Sequence, residues 1–381
     1  MPPLEGLKVL DLSTLLPGPY ATLLLADLGA DVLRVESPSR PDLVRNMSPQ
    51  IDGQSAAFRY LNRGKQSLAL NLKHPDAKGV IHQLLADYDI LVEQFRPGVM
   101  ARLGLDYDSL KAVNPALIYC SITGYGQEGP YRERAGHDIN YLALSGIASH
   151  MGTKSQGPTP PGVQIADTAC GSHPAVIAIL AAVIQRQATG RGQQIDIAMA
   201  DNALALQPLL APGALNGEAA PEAESMFLNG GGFYGFYRTA DNRYLSIGSL
   251  EPQFRKRLVE AIGLPELAEV DDTTLKTALQ DCIAAQSYEF WCRVFADVDA
   301  CVEPVLNLSE AADFQQFKER GLITTDEQGM RQVACPLRFD QQLLPTASEA
   351  PLCGENTREV MRRLGYEESE ISTMARDGVF N

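Results

Sequence analysis

The chain has 381 residues, 45% hydrophobic and 21% charged, with no low-complexity tract, which suits two packed domains. Its net charge of −15 argues against nucleic acid as the main partner. It has no run of eighteen apolar residues, no leader-like start and no C-terminal address, so a cytoplasmic protein without a membrane partner is expected.

Seven cysteines without a CxxC point to reduced thiols, and five scattered histidines give no metal-ligand spacing. The charge is uneven. Residues 1–105 balance basic against acidic side chains, so the acidic excess lies in the remainder. An anionic ligand is therefore expected on the N-terminal part.

In chain order, KVLDL (8–12) reads as a strand, YATLLLADLG (20–29) as a helix and DVLRVE (31–36) as a strand. SLALNL (67–72) is a further strand, and HPDAKGVIHQLLADY (74–88) has helical spacing. DILVEQF (89–95) and LIYCSITG (117–124) are strands again. Such alternation predicts parallel βαβ units. Helical patterns follow at 137–150 and 170–186, then a strand at 194–199. Residues 206–225, rich in Ala, Pro, Gly and Glu, read as a linker. A hairpin with an Asp-Asn turn is expected over 229–249, helices at 252–263 and 273–285, and a helix then a strand at 288–306. The tail adds a helix at 356–365. The fold class is α/β: a Rossmann-like large domain at 1–205, completed by 331–381, and a small α+β domain at 226–330.

The stretch TGYGQEGPYRERAGHDINY (123–141) contains a GxGxxG at Gly124, Gly126 and Gly129. A dinucleotide loop requires a strand before it and a helix directly after it. The strand is present, but Pro130 and a polar stretch follow Gly129, and the helix opens only near His137. The motif therefore fails as a nicotinamide fingerprint. His137 at a helix start is disposed to remain a neutral base, because the helix N-terminus disfavours added positive charge. Asp167, in VQIADTACGS (163–172), precedes another helix. It suits either an N-cap role or catalysis.

Several segments taken together resemble the family III CoA-transferase superfamily (CaiB/BaiF type), and within it the 2-methylacyl-CoA racemase branch. They are LEGLKVLDLSTLLPGPYATLLLADLGADVLRVESP, LNRGKQSLALNLKHPDAKG, VEQFRPGVMARLGLDYDSL, TGYGQEGPYRERAGHDINY, IADTACG, RQATGRGQQIDIAMAD, GFYRTADNRYLSIGSLEPQF and DACVEPVL. GHDINY separates the branches, since transferases resemble this sequence at Asp167 but usually lack His137.

The resemblance implies an interlocked homodimer, each site lying between the large domain of one chain and the small domain of the other. It implies a 1,1-proton transfer next to an acyl-CoA thioester, with no cofactor beyond the CoA of the substrate and no metal. His137 would take the proton from the S epimer and Asp167 from the R epimer, and Glu251 would orient His137. The N–H of Asp167 would be a donor to the enolate oxygen. For CoA it points to Arg40 (or Arg34), Leu72, Lys73 and Arg96, with Arg63 and Lys65 further candidates, and Arg96 is the strongest of these. Gly126 and its neighbours would let the loop approach the thioester, and Asp138 and Tyr141 would support the site. The acyl chain would lie near Met226 and Phe233. The rival within the superfamily is a CoA-transferase using Asp167 as nucleophile.

Overall fold

The computed structural model describes residues 1–325, 329–347 and 349–380, so 326–328 of the expected small domain lie outside the described residues. Contacts divide the chain into two compact units. The first comprises Met1–Ser145, Pro161–Leu206 and Glu319–Asn381, the second Gly146–Pro160 and Gln207–Lys318. Residues 206–225, expected as a linker, thus fall almost wholly within the second unit and include a short helix, Ala211–Ala214. The second unit also takes an excursion at 146–160 that carries no distinct composition.

The first unit is built on six parallel strands: β1 Lys8–Leu12, β2 Asp31–Glu36, β3 Gln66–Ala69, β4 Ile90–Glu93, β5 Ile118–Thr123 and β6 Gln193–Ala198. Their order is β3-β2-β1-β4-β5-β6, the doubly wound arrangement. Alternation within each strand feeds two apolar layers. Leu10, Leu33, Leu68, Leu91 and Tyr119 pack on one side. Val9, Val32, Ile90, Ile118 and Ile195 pack on the other. A parallel sheet must be covered on both faces, and here it is.

The helices of this unit are α1 Pro17–Asp27, α2 Ala56–Asn62, α3 Ala77–Leu84, α4 Asp138–Leu144, α5 Ile165–Thr189 and α6 Met199–Ala205. α1 opens on Pro17 and ends before Gly29, whose φ of +103° suits glycine. α1 and α5 cover one face. α3 and the tail helices cover the other through Val80, Ile81, Val360 and Ile371. The expected helix at 137–150 stops at Leu144 because Gly146 takes φ +87° and a single 3₁₀ turn, Ile147–His150, follows. By length and composition α5 is, among the described residues, a helix that could span a bilayer. Its Ala175, Val176, Ile179, Ala182 and Val183 instead pack on the sheet.

The second unit holds an antiparallel sheet of β7 Gly235–Arg238, β8 Tyr244–Ile247 and β9 Val302–Pro304, in the order β9-β8-β7. Asn242 at φ +61° makes the expected Asp-Asn turn. Helices α7 Pro252–Ala261, α8 Asp272–Ala284 and α9 Tyr288–Phe295 enclose a core around Phe233, Leu258, Leu279 and Trp291. The chain then returns to the first unit, where α10 Thr357–Arg363 is joined by α11 Glu368–Arg376, a helix the sequence pattern did not announce.

Candidate active site

Parallel strands end on one edge, and in doubly wound sheets ligands bind in the crevice outside that edge, where the strand order reverses. Here the reversal lies between β1 and β4. The turn after β4 is tied to the start of α1: the N–H of Gly18 donates to Gln94 Oε1 at 2.9 Å. A Cβ at Gly18 would lie 2.2 Å from Ser13 Cβ, so only glycine fits this crossing. Ser172 of α5 donates from Oγ to the Pro17 carbonyl at 2.7 Å, bringing the head of α5 to the same edge.

The expected CoA ligands divide into two groups. Arg40, Leu72, Lys73, Arg96 and Gly126 all follow strands at this edge. Arg40, Lys73 and Arg96 are exposed and form no ion pair among the described residues, while Leu72 packs against the core. Arg34 and Arg63 require correction, each only 1% exposed. Arg34 pairs with Asp42 at 2.5 Å and bonds to Asn62 at 3.0 Å. Arg63 grips Asp27 at 2.7 and 3.3 Å and bonds to the Val333 carbonyl at 2.8 Å. Lys65 is likewise buried against Asp11, Thr22 and the Pro19 carbonyl. These cations tie the fold together and are buried away from any phosphate reaching the surface.

His137 caps α4: its backbone N–H donates to Asn140 Oδ1 at 2.9 Å, and the side chain belongs to an exposed residue. Asp167 stands in the opening turn of α5, just before a wide π-helical turn at Thr168–Ser172. Such turns often mark functional sites. Asp138, buried beside His137, accepts the Asp167 N–H at Oδ1, 3.0 Å. That N–H is therefore engaged by Asp138, contrary to the expectation that it faces an enolate. Burial, and next the Asp138 charge, push the Asp167 carboxyl up to about 6, while His137 pulls it down. His137 and Asp167 thus sense each other across adjoining helix starts.

The glycines serve a neighbour. A Cβ on Gly124 would meet the Tyr141 ring at 2.5 Å, and one on Gly136 would meet it at 2.7 Å. Tyr141 is buried, donates from its hydroxyl to the Gly136 carbonyl at 2.6 Å and lies edge-on to Tyr125. Gly126, at φ +85°, turns the loop so that the Gln127 N–H reaches Asp196 at 2.8 Å. The glycine-rich loop therefore closes around Tyr141 and delivers His137 at its end.

In the second unit Glu251 is exposed and directly precedes Pro252 at the head of α7. Its charge reaches Cys301. Phe233 is 2% exposed inside that unit's core, so it offers no acyl surface. Met226 is half-buried, and its neighbours Phe227 and Leu228 carry the exposed apolar area. Among the described residues no cluster of three His, Cys, Asp or Glu side chains is placed to hold a metal.

The family model described as CoA-transferase family III matches residues 4–357. The chain belongs to CoA-transferase family III. It is 37% identical to the human alpha-methylacyl-CoA racemase, over 99% of this chain and 97% of that protein. It is 33% identical to the human succinyl-CoA:glutarate CoA-transferase, over 99% and 90% respectively. A crystal structure of a CaiB/BaiF family protein from Brucella suis superposes with a TM-score of 0.84 at 31% identity, covering 95% of this chain and 99% of that one.

Within this family III chain, sequence reading missed three members of the site's frame. Gln94 and Ser172 look like ordinary polar residues until the strands bring them to Gly18 and Pro17. Glu93, at the end of β4, is 3% exposed and reads in sequence as one more surface acid. Its one available signal is its place at the end of a wholly apolar run, ILVE.

Proposed function

We propose that the protein is a racemase of 2-methylacyl-CoA thioesters, an isomerase that inverts the carbon next to the thioester by 1,1-proton transfer. The observation that carries this reading is the His137–Asp167 pair, two proton-exchanging groups electrostatically coupled at the heads of α4 and α5. Inversion through a planar enolate is served by one group on each face, alternating as base and acid. His137 removes the proton from the S epimer and protonated Asp167 returns one to the opposite face. Ionised Asp167 and the His137 cation run the reverse. The competent enzyme therefore carries one proton shared over the pair.

The thioester α-proton is far less acidic than either group, so the enolate oxygen needs donors. The backbone N–H groups of Asp138 and Ile139, which open α4 without a partner among the described residues, stand in for the engaged Asp167 N–H. Glu251 stabilises the His137 cation, and Arg40, Lys73 and Arg96 receive the CoA phosphates. No cofactor beyond the CoA of the substrate takes part. The protein works as an interlocked homodimer. Ile177 and Ile184 support this: both are 68% exposed, on one face of α5, an apolar stripe suited to a second copy. The unpaired state of all seven cysteines suits a cytoplasmic setting.

The family's transferase chemistry needs an ionised, nucleophilic Asp167, and the raised carboxyl fits proton exchange better. One experiment separates the two. A single epimer of a 2-methylacyl-CoA in D₂O should gain deuterium at the α-carbon and lose optical purity. His137→Ala should abolish both. CoA exchange into an added free acid, without α-deuteration, would overturn the racemase reading.

A further inference from the structure

Glu93 ends β4 at the carboxyl edge, next to the point where strand order reverses. Its Oε2 accepts the Phe95 N–H at 2.8 Å, and Ser121 on β5 hydrogen-bonds to the same carboxyl group. With the neighbouring bond from Gly18 to Gln94, this fixes the turn that presents Arg96. Glu93 and Arg96 both line a cavity of about 110 Å³, with Met100, Asp106, Tyr107 and Gln127. Gln127 Nε2 is buried there without a partner. No cation pairs with Glu93 among the described residues, and burial pushes its carboxyl up to about 7. The charged or titratable groups around it are Asp196 on β6, Asp106 and Tyr107 on the following segment, Tyr119 and Cys120 on β5, and Arg96 in its own turn. Asp196 adds to the upward push.

We propose that Glu93 is a positioning residue whose carboxyl group sets the Gln94–Arg96 turn and, through it, the hold of Arg96 on the anionic nucleotide of a CoA thioester. This rests on the reading of the protein as a CoA-thioester enzyme. Losing the carboxyl anchor frees the turn. Ionising it places a negative charge behind Arg96, in competition with the phosphates. CoA affinity therefore weakens as pH rises through neutrality, and an amide at this position removes that dependence while still accepting the Phe95 N–H.

The test is calorimetric titration of the full chain with free CoA at pH 6 and pH 8.5, which is independent of turnover. Relative to the native protein, Glu93→Gln should bind CoA equally at pH 6 and about threefold to tenfold more tightly at pH 8.5. The native/variant comparison cancels the titration of CoA itself. Glu93→Ala should weaken binding about tenfold, and this effect should vanish when Arg96→Ala is already present. Equal pH profiles for native and Glu93→Gln protein, or an undiminished Glu93→Ala effect in the Arg96→Ala background, would overturn the proposal while leaving the CoA reading intact. Absence of CoA binding by the native protein would overturn the CoA reading itself.

Discussion

Asp138→Asn isolates the electrostatics of the proposed His137–Asp167 pair. The amide oxygen still accepts the Asp167 N–H, so the 3.0 Å link between the two helix heads is kept and only a charge is removed. In the native protein the Asp167 carboxyl stands at about 6 against an ordinary value near 3.8, about 3 kcal/mol in favour of the neutral acid. Burial is the largest cause, Asp138 the next, and His137 opposes both. Two unit charges roughly 6 Å apart, at an effective dielectric between that of a protein surface and of water, interact by about 1 kcal/mol. Removing the charge should therefore lower the Asp167 carboxyl by somewhat under one unit. Because one proton is shared over the pair, the acid limb of kcat/KM belongs to the pair, and it should move down equally for both epimers. At pH 5 this gives the variant about a fourfold larger competent fraction than the native protein. The assay is the initial rate of α-deuteration from each epimer between pH 4.5 and 8. An acid limb that stays near 6, or that moves for one epimer alone, would refute the argument.

Other variants probe the frame. The Glu93 carboxyl is higher in the folded chain, at about 7, than in the unfolded chain, at about 4.5, so the native protein loses stability as pH rises between those values. Glu93→Gln should match the native stability near pH 4.5 and exceed it at pH 8 by up to about 3 kcal/mol, read by thermal melts at both pH values. Gly136→Ala places a methyl 2.7 Å from the Tyr141 ring, and should cost about 1–3 kcal/mol and slow α-deuteration at least tenfold. Asp27→Ala leaves the Arg63 guanidinium buried without its carboxylate, and should destabilise by about 3–5 kcal/mol in denaturant melts. Arg96 is exposed, so Arg96→Ala should leave the melting curve in place but weaken CoA binding about tenfold in titration if it holds the phosphates as proposed.

The strand runs were legible because a doubly covered sheet demands near-continuous apolar stretches, and KVLDL, DVLRVE and LIYCSI supply them. The hairpin was legible from its Asp-Asn turn, and the places of His137 and Asp167 at helix starts from the local pattern. Strand order was not, because crossovers leave no local mark. The fate of a cation was not legible either. Arg34, Arg63 and Arg96 are equivalent in sequence, yet the first two are consumed by Asp42 and Asp27, partners 8 and 36 residues away. The purpose of Gly124 and Gly136 was hidden for the same reason. Each makes room for a ring, that of Tyr141, whose place is set only once α4 has packed.

These ties explain how the His137–Asp167 pair and the Gln94–Arg96 turn can share one rigid edge. The Ser172 hydroxyl shares its single proton between the Pro17 carbonyl at 2.7 Å and, across the π-helical turn, the Asp167 carbonyl at 3.1 Å. One residue on, the Gly18 N–H holds Gln94, and Glu93 holds Phe95, so Arg96 is two short side-chain bonds from the head of α1. Each bond joins buried or half-buried groups, where breaking it strands a polar atom away from water at a cost of about 1–3 kcal/mol. Chemistry at the α-carbon requires placement to within a fraction of an ångström, and such placement is lost when supporting bonds are left to solvent. The wide turn after Asp167 gives Ser172 its reach to Pro17, so a mutation that regularised α5 there should loosen the Gln94–Arg96 turn as well as the carboxylate.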